Sequence, residues 1–539
     1  MPAERELTLT ATDVERFAAA SGDRNPLHVD PEFAAASAFG APIVHGSLIA
    51  IAMLGALPDH AQAQVRSLHV SFAGAVFPDT TATVLARACE REPGAWEIRL
   101  TARGKTVARL LARGHAEQPI EPTAVKAPSQ RGDDGGPQRP ADGLRRPDGS
   151  PRAMRARPAE PSAEEMVAGQ ALAVEYAAGA ELNAIARRLR AGALDPRLLE
   201  GLAWASYVVG MELPGLRSLF AGLALEIAEQ SRQDGYEGPN GSDHGGVGCT
   251  LGVLAHDERT GQITIESTFA SREGAGLALA RIQCFALPGI AAPDPVELSL
   301  HRTAEHDRGA VVVAGGSRGF GASLALALLA EGYEVHVAYA SSPACAAQLQ
   351  RLAGDHEARL HLTRTDVGDP EAMRSLADAL TGRGRAIAGL VLNAAPPPLA
   401  MSLTSRTGVE LADYAAASLR LMAVPLGSLL DSIDERRGWV MFCSSSALAA
   451  PPRDWPHYVS AKAAAEGLAG WVAATHPSLR TVVVRPPKMR TAMTGTPSGR
   501  IGSSSADAVA LWTAEQLAGD ELEPGLTTLE PPTREEVHA

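Results

Sequence analysis

From residue 309 onward the chain alternates short valine-rich runs with alanine- and leucine-rich ones. That alternation constrains the fold more than any other feature. VVVAG, YEVHVAY, GLVLN, WVMFCSS and RTVVVRP read as strands, with helical stretches between them. Strands separated by helices pair in parallel, because a parallel neighbour needs a long crossover connection. The expectation for residues 307–536 is an α/β, doubly wound parallel sheet. Aromatic residues make up only 4% of the 539, so the cores must be built mainly from Ala, Val and Leu.

Upstream the pattern changes. Residues 118–161 hold nine prolines and no aromatic residue. Such a stretch buries too little apolar surface to offset its ordering entropy and reads as a disordered linker. A second, shorter linker reads at 291–306. Residues 1–117 and 162–290 remain as two further folded pieces. They share an order of features: an apolar helical run (SLIAIAML; LAWASYVV), a glycine, Leu-Pro, then Arg-Ser-Leu opening a strand. Duplication of one unit is the expectation.

Composition excludes several classes. Asp plus Glu is 62 against 49 Lys plus Arg, a formal charge of −13, where nucleic-acid binding calls for a basic face. No apolar run approaches a membrane span, so no membrane partner is expected. The five cysteines show no CxxC pair, so neither a metal site nor a disulfide framework is expected, and a reducing cytoplasm fits.

Two constellations carry chemistry in the last piece. Gly315, Gly319 and Gly321 follow the first strand with GxxxGxG spacing, which lets the backbone approach a pyrophosphate at a helix N-terminus. Tyr458 and Lys462 lie one helical turn apart, with Ser445 thirteen residues before the tyrosine. An ammonium beside a phenol favours the phenolate, and a serine can bond the same substrate oxygen. Such a trio protonates a carbonyl oxygen as hydride arrives from a nicotinamide. With these residues, 309–495 resembles the short-chain dehydrogenase/reductases, which have a Rossmann-type fold, and in particular their β-ketoacyl-carrier-protein reductase branch. The resemblance implies that Ser317, Arg318, Phe320, Ser341, Asp366, Val367, Asn393, Ala394 and Thr491 join the glycines, Tyr458 and Lys462 in binding the cofactor. It also implies a homo-oligomer. Ala314 stands where many members have Thr, and Ser418 replaces a helix-four Asn that serves the family's proton relay. The second strand ends Tyr339-Ala340-Ser341-Ser342 with no acid to take ribose hydroxyls, and Arg318 lies in the glycine loop. NADPH is therefore the expected cofactor.

In the first piece, SGDRNPLHVD runs on to FGAPIVHG. Asp23 and His28 sit five apart in a loop stiffened by Pro26. A carboxylate and an imidazole can together hold and activate one water. Gly46 opens a long apolar helix whose free N–H groups can stabilise a thioester oxyanion. This string resembles the MaoC-like, (R)-specific enoyl-CoA hydratases of the α+β hot-dog fold. The resemblance implies that Asp23 and His28 form the catalytic dyad, that Gly46 polarises the thioester carbonyl, and that Asn25 supports substrate binding. Some relatives carry a serine at the position of Leu54. His45 reads as structural. Residues 162–290 read as a second hot-dog without the dyad, giving a double hot-dog, and His244 in SDHGG reads as a loop residue.

Together these imply a bifunctional enzyme. A 3-ketoacyl thioester, on acyl-carrier protein or CoA, is reduced to a (3R)-hydroxyacyl thioester and then dehydrated, as in fatty-acid or polyketide-like biosynthesis. The opposite direction, hydration followed by oxidation as in β-oxidation, uses the same sites. A non-catalytic thioester-binding scaffold is the other alternative.

Overall fold

Thr10 begins the first helix. Its hydroxyl accepts from the Asp13 N–H, and the Asp13 carboxylate accepts from the Thr10 N–H in return. This reciprocal cap fixes α1 (Ala11–Ser21), which ends on Gly22 in the left-handed region, φ 74°. The sharp exit turns the chain straight into Asp23. The computed structural model describes residues 3–114, 152–161, 166, 168, 171–227, 247–270, 276–287, 289, 292–301, 307–382 and 387–532. His244 and most of the predicted linker at 118–161 lie outside them.

The chain divides into two compact units. The first holds one eleven-stranded sheet. Its strands are β1 (Ala3–Thr8), β2 (Ser67–Phe72), β3 (Thr81–Ala88), β4 (Trp96–Ala102), β5 (Lys105–Arg113), β6 (Arg152–Ala153), β7 (Ala171–Tyr176), β8 (Ser218–Ile227), β9 (Val247–Asp257), β10 (Gln262–Ala270) and β11 (Gly276–Ala286). The spatial order β1-β3-β4-β5-β2-β8-β11-β10-β9-β7-β6 is a palindrome of two five-stranded halves with one added edge strand. β2 and β8 join the halves antiparallel, Val70 opposite Leu223. Each half wraps one helix, α3 (Gly46–Leu54) in the first and α4 (Pro196–Tyr207) in the second. Ser47 to Leu54 are all buried, as expected of a helix apolar on every face. The two helices pack on each other within a single core. This is a double hot-dog, and the repeat in the sequence is the repeat in the sheet.

Part of the predicted linker is ordered. Residues 152–161 add β6 to the edge of β7, and the Ala159 backbone bonds both Met211 and Leu216. The cause is Glu212, only 2% exposed. A carboxylate buried that deeply requires partners, and Arg152, Arg155 and the Tyr207 hydroxyl supply them. The linker reading also fails at 292–301, where Leu298 and Leu300 belong to the core of the second unit.

The second unit is a seven-stranded, wholly parallel sheet. Its strands are β12 (Ala310–Ala314), β13 (Glu334–Tyr339), β14 (Leu360–Arg364), β15 (Ile387–Leu392), β16 (Trp439–Cys443), β17 (Arg480–Val484) and β18 (Gly525–Leu529), in the order β14-β13-β12-β15-β16-β17-β18. The chain reverses direction beside β12, and such a switch point opens a crevice at the strands' carboxyl ends. Helices α5 (Gly319–Ala330), α6 (Thr407–Asp434) and α7 (Pro456–Thr475) supply the groups that matter below. By length and composition α6 could cross a membrane. It packs instead on α7 and β15, burying Met422, Leu426 and Ile433.

Gly389 on β15 faces Trp439 on β16, where a Cβ would lie 2.4 Å from the indole. Gly389→Ala is expected to destabilise this unit by about 1–3 kcal/mol, the usual range for overpacking. Denaturant unfolding followed by tryptophan fluorescence checks this, and an unchanged midpoint would contradict it.

Candidate functional site

Gly22 delivers Asp23 to a position 2% exposed, at the seam between the two halves of the first unit. Its carboxylate accepts from the Ser206 hydroxyl of α4 at 2.7 Å and from the Asn25 N–H at 3.2 Å. Burial pushes the Asp23 carboxyl above its ordinary range, against the pull of His28, Ser206 and Asn25. Gly210 is what lets Asp23 sit there, since a Cβ on Gly210 would lie 2.0 Å from Oδ1.

Asn25 caps α2 (Pro26–Val29), accepting from the Leu27 N–H. The short helix presents His28. Its Nδ1 lies 2.7 Å from the Ile43 carbonyl, which can only accept, so Nδ1 carries the proton and Nε2 keeps a lone pair. Burial holds the His28 ring below its ordinary pKa, while Asp23 and the Ile43 carbonyl oppose the shift. His28 is therefore set to act as a neutral base near neutral pH. Gly46 is the first residue of α3, whose leading N–H groups have no partner within the helix. A Cβ there would meet Phe72 and Phe220 at 3.0 and 3.1 Å, one ring from each half.

One reading changes. Asn25 does not face substrate: its amide donates to the carbonyls of Gly210 and Gly215 at 3.1 and 2.9 Å, its oxygen is taken by Leu27, and it is 1% exposed. It ties the loop of one half to the backbone of the other. Leu54 is apolar, as the sequence has it, and the hydroxyl that reaches the Asp23 carboxylate is Ser206, from the opposite half. The repeat sets Ser206 against Ile51, each four residues before its glycine, so the sequence held no signal for this serine.

In the second unit an open groove at the switch point gathers the predicted set. Gly315, Ser317, Arg318, Gly319, Phe320, Ser341, Asp366, Val367, Asn393, Ala394, Ser445, Tyr458, Lys462 and Thr491 all line it. Gly315 has φ 79°, and a Cβ on it would lie 2.7 Å from the Ala394 backbone. The Asn393 amide donates to the Gly315 carbonyl at 2.7 Å, tying the loop to the end of β15. Gly321 does not line the groove. It gives close packing, since a Cβ would lie 2.3 Å from the Gly315 carbonyl. A backbone cradle leading into α5, with no acid on Tyr339, Ala340 or Ser341, fits a dinucleotide.

Three serines compete for one role. Ser444 and Ser445 both line the groove, but the Ser444 hydroxyl donates to Glu466 at 2.6 Å, and Ser446 opens a short 3-10 turn. Lys462 is 5% exposed, with Nζ 2.6 Å from the Cys443 carbonyl and 5.6 Å from the centre of the Tyr458 ring. The Ser418 hydroxyl donates back to the Tyr414 carbonyl of its own helix at 2.8 Å.

Two clusters among the described residues bring three possible metal donors within 4.8 Å: Asp23, His28 and His45, and Glu334, His336 and His361. In each the imidazoles stack, 27° and 20° from parallel. In the first, His28 Nδ1 and His45 Nε2 lie on the Ile43 and Asp23 main-chain carbonyls, and in the second both imidazole Nε2 atoms meet Glu334 Oε1, at 3.1 Å from His336 and 3.0 Å from His361.

The Asp23 shift fixes a sign. A carboxyl raised by folding is favoured in its protonated form, so its ionisation lowers stability. That cost is absent below the unfolded value, about 3.9, and complete above the raised one. Asp23→Asn is expected to be more stable than wild type at pH 7, with the difference vanishing as pH falls below about 4. Thermal unfolding across that range measures it. A less stable variant at pH 7 would contradict the assignment.

Comparisons find relatives for both units. A family model described as a MaoC-like domain matches residues 1–108, and one described as short chain dehydrogenase matches residues 309–499. The (R)-specific enoyl-CoA hydratase of Aeromonas caviae is 57% identical over 47 residues, 9% of this chain and 35% of that protein. The fatty acid synthase subunit beta of Gibberella zeae is 39% identical over 80 residues, 14% of this chain and 4% of that one. The chain thus spans well under two thirds of the length of these relatives. An alcohol dehydrogenase from the archaeon Thermococcus sibiricus, solved with 5-hydroxy-NADP, aligns at 21% identity over 41% of this chain and 95% of its own, with a TM-score of 0.37. Residues 1–108 are a MaoC-like domain and residues 309–499 a short-chain dehydrogenase domain, joined in one chain.

Proposed function

We propose that the chain reduces 3-ketoacyl thioesters with NADPH and dehydrates the resulting (3R)-hydroxyacyl thioesters. The observation that carries this reading is that each domain holds a complete reacting set. Ser445, Tyr458 and Lys462 converge on one groove, while Asp23 and His28 meet at one seam. The two chemistries meet at one intermediate, because the product of the first is the substrate of the second.

In the reductase groove, Ser445 and the Tyr458 hydroxyl hold the substrate carbonyl oxygen, and Tyr458 gives it a proton. Lys462 is fixed on the Cys443 carbonyl with its Nζ 5.6 Å from the centre of the Tyr458 ring. The nicotinamide, when bound, supplies the hydride. Ser341 at the end of β13 and Arg318 in the glycine loop favour a 2′-phosphate over bare ribose hydroxyls.

At the seam, dehydration moves one proton from C2 and gives one to the departing C3 hydroxyl. Neutral His28, with its Nε2 lone pair, is set to receive. Asp23, whose carboxyl burial holds above its ordinary range, is set to give. The head of α3 at Gly46 faces the charge that develops on the thioester oxygen.

Mass spectrometry of 3-ketoacyl-CoA and carrier-bound substrates with NADPH tests both steps. A gain of two hydrogens followed by loss of water is expected. Tyr458→Phe should lower reduction by about 10²–10⁴-fold and leave dehydration intact, and His28→Ala should do the converse. If neither changes anything, the chain is a scaffold. Arg318→Ala should narrow the NADPH-to-NADH preference by about 10–100-fold, the worth of a charged hydrogen bond. A wild-type preference for NADH would favour the oxidative direction instead.

A further inference from the structure

His45 touches every working part of the Asp23 site, yet the scheme above gives it no task. Its side chain is fully buried, at the residue that precedes the first turn of α3. Its ring stacks on His28 with centroids 3.8 Å apart, and Phe17 closes its other side edge-on at 5.1 Å. Its Nε2 lies 3.2 Å from the Asp23 main-chain carbonyl, which can only accept, so Nε2 carries the proton. Nδ1 is then a bare acceptor, buried and without a partner among the described residues.

That last point sets the residue apart from simple filler. A phenylalanine would stack equally well and leave no buried acceptor unsatisfied, which is a costly defect. Histidine is the residue that stacks and also brings an N–H to the Asp23 carbonyl. Both members of the dyad lie on short connections: Asp23 follows a left-handed glycine, and His28 stands on a helix of four residues. One ring braces both, and the same residue starts the helix that carries Gly46.

Resting on the hydratase reading, we infer that His45 is a positioning residue of that site, holding the plane of the His28 imidazole by stacking and the Asp23 loop by its hydrogen bond. The titratable groups facing His28 are Asp23, from the loop ahead of α2, and His45, from the head of α3. What α4 brings to the site is Ser206, which does not titrate. Burial keeps His45 neutral, so it shields His28 without adding charge. Removing the ring admits water, and the His28 pKa then rises toward its ordinary value.

Two substitutions in the full chain separate the contributions. His45→Gln keeps a donor and loses the stack, whereas His45→Phe keeps the stack and loses the donor. For hydration of a trans-2-enoyl-CoA, His45→Gln is expected to lower kcat/KM on the order of 10²-fold, the usual effect of a misplaced reacting group. The acid limb of its pH profile should move to higher pH, while in His45→Phe it stays in place. Selective ¹⁵N-histidine labelling reads the same claim without activity. Wild-type His28 should be the Nδ1–H form with ring protons shifted by the stack, and His45→Gln should relax both. Identical His28 signals in wild type and His45→Gln would overturn the inference. So would a wild-type His28 without stacking shifts, which needs no variant to fold. Should His28→Ala leave hydration unchanged, the hydratase reading fails, and the labelling result still decides the role of His45.

Discussion

The first unit is organised around a carboxylate placed where water does not reach. Asp23 sits at the seam of two half-sheets, and three of the features that hold it there come from across that seam or reach over it. The Ser206 hydroxyl comes from the other half, the missing Cβ of Gly210 makes the room, and the Asn25 amide ties the loop to the Gly210 and Gly215 carbonyls. Neither half alone provides this pocket. A side chain on Gly210 would overlap the carboxylate, and a half-sheet without its partner would expose the carboxylate to water.

This explains why the second half persists without a dyad of its own. Duplication made two positions for each element, and the two halves have since divided the work. The first kept the Asp23–His28 loop, with an apolar Leu54 on its helix. The second kept Ser206 on its helix. Glu212, just beyond α4, also draws in Arg152 and Arg155, so residues 152–161 close the far edge of the sheet. The second half supplies part of the pocket around Asp23.

Legibility followed from how local each feature is. Strands β12, β13, β15, β16 and β17 announced themselves as valine runs, while β14 and β18 at the sheet edges, LHLTR and GLTTL, did not, because edge strands bury one face less. The groove could be read because its residues sit at the ends of successive strands, at fixed points in the chain. The seam could be read only on one side. Asp23, His28 and Gly46 lie within one stretch, but Ser206 and Gly210 arrive from nearly two hundred residues away. The linker reading failed at 152–161 and at 292–301 for a related reason. Composition reports how much a segment can bury by itself, and not that Glu212 or the core around Leu298 would bind it from outside.

Both sites solve one problem in the same way. A group that must give or take a proton has to be aimed, and aiming it with a carboxylate would add charge and shift the proton equilibrium being used. In the first unit the Ile43 carbonyl aims His28 through Nδ1. In the second the Cys443 carbonyl aims Lys462 through Nζ. A backbone carbonyl accepts a hydrogen bond at any pH and cannot itself titrate, so it orients without competing for the proton. It is also fixed by its neighbours, Ile43 by its bond back to Leu27 and Cys443 as the last residue of a buried strand. Burial is the largest influence on the proton affinities of His28 and Asp23, and the hydrogen bonds that orient them pull each partly back. The pair is thus held in one geometry while burial moves its members in opposite directions, the carboxyl up and the imidazole down.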